Sequence, residues 1–273
     1  MKIAQFIENG CIRLGAIQAD GMTPLVFAGD MIDFISGDRA TYTLNGKTYA
    51  LDQVNMAPPV TRPDKIIGIG LNYRDHAEEQ NAKIPDEPKI FAKFHTTLIG
   101  NNDMIVWERS VTDQVDFEAE LAVVIGKTVR NCPESEALNK VFGYTCANDV
   151  SARDIQIAKA ELVRGKSLDT FCPLGPWIVT ADEIPDPGAL AVRCRLNGEL
   201  MQDGNTRQLI FSVPHLISFL SRSFTLVPGD IILTGTPKGV GVFRKPPVFM
   251  KDGDEVAVEV EGVGQLVNTC RTA

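Results

Sequence analysis

Short apolar runs alternate with turn residues along most of the chain, a period-2 pattern that predicts many strands and few helices. KIAQFI, IRLGAIQ and TPLVFA open the sequence, punctuated by Asn9-Gly10 and Asp20-Gly21, dipeptides suited to tight hairpins. Ala57-Pro58-Pro59-Val60-Thr61-Arg62-Pro63 does not continue a regular element and reads as a linker. Residues 1–60 are therefore expected to form a small β-rich domain, and residues 64–273 the main one. The main domain begins with a buried strand over Lys65–Gly70. Further strands are predicted near 89–94, 103–108, 115–126, 142–148, 176–180 and 190–196. Asn197-Gly198 predicts a hairpin, Val227-Pro228-Gly229-Asp230 turns into the strand IILTG, and EVAVEVEGVGQLVNT closes the chain as a last hairpin. Three helices are expected. One is a turn or two over Ser135–Lys140. One spans Ala152–Arg164 with a buried stripe of Ile155, Ala158, Leu162 and Val163 and Ser151 as its cap. One opens at Ser212 with Pro214 in its first turn and Leu216, Ile217 and Leu220 inward. The pattern implies a β-rich α+β fold, rolled or sandwiched, and not a βαβ repeat.

Composition narrows the partners. The 273 residues are 44 % hydrophobic, enough for a sizeable core, and the net charge of −8 offers no basic footprint for nucleic acid. No run of 18 apolar residues predicts a membrane helix. The six cysteines are scattered without a C-x-x-C, which argues against a zinc knuckle or disulfide scaffold and for reduced core thiols in a cytoplasmic protein. MKIAQFIENG lacks the apolar core of a secretory signal.

Candidate chemistry concentrates in a few places. Glu118 and Glu120 interrupt VDFEAELAVVIG. In a strand, residues two apart share a face about 6.6–6.8 Å apart, so two carboxylates would project together from a half-buried sheet. Either a hard divalent cation pairs them or they lie on a solvated face. Asp149, in GYTCANDVSARDIQ, either caps the following helix or adds a third carboxylate to that site. Arg153 and Gln156, three apart, share a helical face that holds a substrate carboxylate or faces solvent. Lys166 is placed to stabilise an enolate or is an ordinary solvated charge. His76 and Glu79 have the spacing of a general-base dyad or of a surface salt bridge. ILTGTPKGVG sets glycines and Thr236 after a strand, as an anion site or a plain turn. It is not a Walker A loop, and Gly68-x-Gly70 lacks the third glycine of a dinucleotide fingerprint.

The succession GIGLNYRDHAEE, FEAELAVVIG, GYTCANDVSARDIQ, GKSLDTFCPLGPW, LNGELMQDGNTRQLIF and PGDIILTGTPKGVG resembles the fumarylacetoacetate hydrolase superfamily in order. The branch it is most similar to comprises acylpyruvate hydrolases and 2-hydroxyhepta-2,4-diene-1,7-dioate isomerases. The resemblance implies a mixed β-sandwich roll, a homodimer, and Mg²⁺ or Mn²⁺ held by Glu118, Glu120 and Asp149. It implies His76 and Glu79 as a water-activating pair on a lid, Lys166 beside the scissile bond, and Arg153, Gln156 and Thr236 on the oxo-acid end of a small substrate; Lys93 is less securely placed. The activity expected is hydrolytic C–C cleavage of 2,4-dioxo acids of the acylpyruvate or fumarylpyruvate type. The alternatives on the same site are oxaloacetate decarboxylation or tautomerisation and dienedioate isomerisation, with a non-catalytic dicarboxylate binder as a different class.

Overall fold

The computed structural model describes residues 1–19, 21–37 and 43–273. The Asp20-Gly21 turn includes Asp20, which lies outside the described residues, while the flanking strands pair Gln18 with Gly21. Among the described residues two large sheets form the framework, one of twelve strands and one of five, and the fold is the β-rich α+β roll expected. The three N-terminal strands Lys2–Glu8, Cys11–Gln18 and Gly21–Val26 join the larger sheet through pairing of Lys2–Glu8 with Cys172–Thr180. From there the sheet runs through Val141–Asn148, Ala119–Ile125, Ile231–Leu233 and Ile66–Gly70 to an edge strand at Lys89–Lys93. The smaller sheet contains Ala191–Leu196, Glu199–Asn205 and the C-terminal hairpin Glu255–Val260 with Gly264–Thr272.

The Ala119–Ile125 strand shows why this architecture is stable. Leu121, Val123 and Ile125 pack into one core cluster, with Val256 and Val258 of the smaller sheet. Ala122 and Val124 point the other way, into a second cluster with Ile3, Leu14 and Phe34. Both faces are covered, so the half-buried sheet expected from the glutamates is fully buried here. Each fully buried aliphatic side chain of this kind contributes roughly 1.5–3 kcal/mol.

Several local expectations change. Only Ala57 of the 57–63 segment joins a strand, Met56–Ala57, which pairs with Gln5 and Phe6; residues 58–63 carry no regular element, as expected, although Val60 is fully buried. The 115–126 strand divides at Phe117 and Glu118 into Val115–Asp116 and Ala119–Ile125. An additional helix, Met31–Ser36, starts with a capping box between Asp30 and Asp33. The Ala152–Arg164 helix is not continuous. Ser151–Ala152 pairs as a short strand with Val115–Asp116, residues Asp154–Ala158 form a wide π-type turn, and a separate helix covers Leu162–Lys166. Ser151 donates its hydroxyl to the Asp149 carbonyl and does not cap. Only Ile155 of the expected stripe is fully buried. By contrast, Ser212 caps Val213–Ser223 as expected, with Leu216, Ile217 and Leu220 inward. Five cysteines are buried and unpaired, but Cys11 is exposed and is not a core thiol. Among the described residues, no helix is long and apolar enough to cross a membrane.

Candidate metal centre and active site

Pairing register brings the three acids together. Ala119 lies opposite Asn148 and Glu120 opposite Ala147. The ladder extends one step further, because the Asp149 N–H donates to the Glu118 carbonyl at 2.9 Å. The Asn148 side chain accepts the Glu118 N–H at 2.9 Å and completes the backbone pairing there. Glu118, Glu120 and Asp149 consequently offer carboxylate oxygens within 4.8 Å of one another, all buried. A solvated strand face for the glutamates and a helix-capping role for Asp149 are both excluded by this geometry.

Cations surround the acids unevenly. Lys166, at the end of its short helix, donates to Glu118 Oε2 at 2.7 Å and to Asp149 Oδ2 at 2.6 Å. Lys93 donates to Asp149 Oδ1 at 2.6 Å. Arg153 pairs with Asp116 at 2.8 Å through Nε and with Glu118 at 2.7 Å through Nη2. Glu120 has no ion pair among the described residues; its Oε2 accepts only the Gly235 N–H at 2.7 Å. The electrostatics follow from this imbalance. Burial would raise the Glu118 carboxyl, but Lys166 and Arg153 outweigh it and hold it at about 2. Burial, then the neighbouring Asp149 and Glu118 charges, push Glu120 well above the usual carboxylate range. Burial works against the charge on Lys166, yet Asp149 and Glu118 raise its pKa and keep it an ammonium.

These residues fit a hard divalent cation. Four buried carboxylates, Asp116 included, face three cationic side chains, and the carboxylate lacking a cation sits within the triad. A dication would remove that imbalance and turn the cluster net positive, which favours an anionic substrate.

The triad opens on a cavity of about 240 Å³ lined by His76, Gln80, Phe91, Glu118, Glu120, Arg153, Gln156, Lys166, Thr236 and Phe243, with Ile69, Gly70, Leu71, Lys89, Ile157 and Leu162. Seven of the nine residues expected in the site line it; Asp149 and Glu79 stand behind the wall. His76 Nδ1 is 3.0 Å from Glu79 Oε2, and Glu79 Oε1 accepts the Gly239 N–H at 2.9 Å. At 6 % exposure, His76 does not form a surface salt bridge. Arg153 and Gln156 do share a face, with Nη1 donating to Gln156 Oε1 at 2.7 Å, but on the wide turn. Thr236 is differently employed: its hydroxyl donates to the Ala119 carbonyl at 2.9 Å and accepts from Gln202 at 2.8 Å. Its O–H is spent on the framework.

Three residues outside the expected core of the site are built into it. Lys93 follows Phe91 inward on the strand Lys89–Lys93, and only that alternation marks it. Asp116 is fully buried and accepts from Arg153 and from the Gly241 and Val242 N–H groups at 2.8 and 3.0 Å. It therefore fixes both Arg153 and the turn carrying Phe243, whose ring lies edge-on to His76 at 5.9 Å. Gln80 reaches the other nitrogen of His76.

Gly241 shows how tight this anchor is. A Cβ there would lie 1.8 Å from the Val248 carbonyl oxygen and 2.6 Å from Asp116 Oδ1. Gly241→Ala is expected to cost about 1–3 kcal/mol of stability, as overpacking does, and to raise KM by displacing Phe243 and Arg153. Urea unfolding and steady-state kinetics check both effects.

The comparisons agree with this architecture. The family described as fumarylacetoacetate (FAA) hydrolase C-terminal matches residues 65–271. The mitochondrial oxaloacetate tautomerase FAHD2B of Bos taurus is 47 % identical over 247 residues, covering 87 % of this chain and 78 % of that protein. Among solved structures, the fumarylacetoacetate hydrolase of Exiguobacterium antarcticum superposes with a TM-score of 0.88 at 36 % identity over the whole of both chains. The 2-hydroxyhepta-2,4-diene-1,7-dioate isomerase of Mycobacterium marinum does so with a TM-score of 0.83 at 34 % identity, over 100 % of this chain and 98 % of that one. By its matched profile, its relatives and its buried acidic triad, the chain belongs to the fumarylacetoacetate hydrolase family.

Proposed function

We propose that the protein is a metal-dependent tautomerase of small 2-oxo dicarboxylic acids of the oxaloacetate class. The observation that carries this reading is the Lys166 ammonium on the cavity wall, held at 2.7 and 2.6 Å by Glu118 and Asp149. The similarity to proteins named oxaloacetate tautomerases supports it over C–C hydrolysis, the activity first expected from sequence.

Glu118, Glu120 and Asp149 would hold Mg²⁺ or Mn²⁺, both suited to carboxylate ligands. The bound ion supplies Lewis-acid polarisation of the 2-oxo group. Arg153 gives the cavity a fixed positive charge, and Gln156, whose oxygen is taken by Arg153, keeps its amide N–H groups for a substrate carboxylate. Ketonisation moves one proton onto C3 and releases one from the enol oxygen. Lys166 holds a proton to give to C3, and solvent at the cavity mouth takes the enol proton and reloads the amine. No water is consumed.

The test is the decay of freshly dissolved enol-oxaloacetate, followed by its ultraviolet absorbance with Mn²⁺ present. Accelerated decay that disappears on chelation, without pyruvate release, is expected, and Lys166→Met should lower kcat about 10²-fold or more, in the range of general acid catalysis. Undiminished turnover in Lys166→Met would remove Lys166 from the proton transfer. Hydrolysis of a 2,4-dioxo acid is the second reading, favoured by the His76–Glu79 contact of 3.0 Å. A cytoplasmic setting is part of the proposal; the unpaired cysteines suit a reducing compartment, although several relatives carry mitochondrial in their names.

A further inference from the structure

We propose that Gln80 is a positioning residue that decides which reaction the site performs, by holding the lone pair of His76 that hydrolysis requires. The inference rests on the tautomerase reading above and adds the reason that cleavage is suppressed.

Gln80 Nε2 lies 2.7 Å from His76 Nε2. An amide nitrogen only donates, so the ring nitrogen accepts. A neutral imidazole then carries its proton on Nδ1, which faces Glu79 Oε2 at 3.0 Å, while Glu79 Oε1 takes the Gly239 N–H at 2.9 Å. The Nδ1 proton, the Gln80 N–H on Nε2 and the Gly239 N–H each meet an acceptor. In the neutral ring, reversing the Gln80 amide would put the proton on Nε2 and leave the bare Nδ1 against a carboxylate. Glu79 therefore fixes the orientation of both side chains. The arrangement is local to one helix turn: His76 and Gln80 are four apart at the end of Arg74–Glu79 and share a face. Phe243 closes the imidazole from the side at 5.9 Å, and His76 is buried.

Hydrolysis of an acylpyruvate needs that lone pair. The water oxygen bonds to the acyl carbon as a water proton passes to Nε2. The C–C electron pair then leaves with the pyruvate enolate, which is protonated in turn. With the Gln80 N–H on Nε2, water finds no base. Tautomerisation needs no activated water and proceeds from Lys166.

The experiment compares the metal-loaded full chain with Gln80→Met, which keeps the side-chain length and removes the donor. Acetylpyruvate cleavage and enol-oxaloacetate ketonisation are measured on both. The ratio of cleavage to ketonisation is expected to rise at least about tenfold, a part of what a freed general base supplies, and the rise should vanish in His76→Ala/Gln80→Met. An unchanged ratio, or a parallel fall in both activities, would overturn the proposal. If the wild-type chain does not ketonise oxaloacetate, the tautomerase reading fails by itself. A tenfold gain in cleavage by Gln80→Met would then still support the hold on His76, and its absence would refute it. Long-range ¹H–¹⁵N spectra of the wild-type protein give a readout that needs no variant to fold: a neutral His76 with the proton on Nδ1 is expected, and a proton on Nε2 contradicts it.

Discussion

Glu120→Gln is expected to abolish metal-dependent stabilisation while making the metal-free protein more stable at pH 8 than the wild type. Glu120 is the triad carboxylate without a cation partner, and burial, Asp149 and Glu118 raise its pKa well above the ordinary value. The folded metal-free protein thus binds a proton that the unfolded chain releases near pH 4.5. Stability falls as pH rises from that value through the raised one, because the folded state binds more protons than the unfolded state there. Glutamine has no proton to lose, so the variant should lack this part of the decline. Melting of the metal-free proteins at pH 5 and pH 8 measures the difference, which should amount to a few degrees at about 2–4 °C per kcal/mol for a chain of this size. Metal at a hundredfold excess over Kd should add about 2.7 kcal/mol to the wild type and far less to Glu120→Gln. A variant that still melts higher with Mn²⁺ by the same interval would show that Glu120 is not a ligand.

Arg153→Met should be the most destabilising single change in the site, costing about 3–5 kcal/mol, the loss typical when one partner of a buried ion pair is removed. Arg153 serves Asp116, Glu118 and Gln156 at once, at 2.8, 2.7 and 2.7 Å. Without it the fully buried Asp116 keeps its backbone donors but loses its cation. Glu118 retains Lys166, so the penalty falls mainly on Asp116. The double variant Asp116→Asn/Arg153→Met should therefore recover part of the loss. Urea unfolding of the two singles and the double gives the coupling directly. A loss below about 1 kcal/mol in Arg153→Met would mean that the pair is not energetically buried in the sense of an uncompensated charge.

Legibility in the sequence varied with how local the cause was. Ile66–Gly70 and the C-terminal hairpin were readable because alternation and turn glycines act within a few residues. Residues 152–164 were not. Their apolar spacing is helical, but Ala152 is drawn into pairing with Val115, and the chain then widens at Asp154–Ala158. Ile157 and Leu162, apolar and therefore assigned to the core side or left unplaced, instead line the cavity and remain partly exposed. The acids Glu118 and Glu120 were legible because charge inside an apolar strand is conspicuous. Asp149, Lys166 and Arg153 gained meaning only from the order of motifs. Asp116 and Gln80 were passed over for different reasons: Asp116 stands in the Val115–Asp116 strand two residues before Glu118 and shares its alternation, but its partners lie at Arg153 and 125 residues away at Gly241, whereas Gln80 simply follows a helix and meets His76 four residues back. Lys93 looks like a surface lysine on an edge strand until the strand's inward face is known to meet Asp149.

The central claim is tested most directly by comparing kcat/KM for enol-oxaloacetate ketonisation with kcat/KM for acetylpyruvate cleavage, in one preparation of the Mn²⁺-loaded protein. The account predicts that ketonisation exceeds cleavage by at least about 10²-fold, the lower end of what a positioned general acid or base contributes, and that chelation abolishes it. Cleavage equal to or faster than ketonisation, with pyruvate released in step, would contradict it and return the site to a hydrolase built on His76 and Glu79.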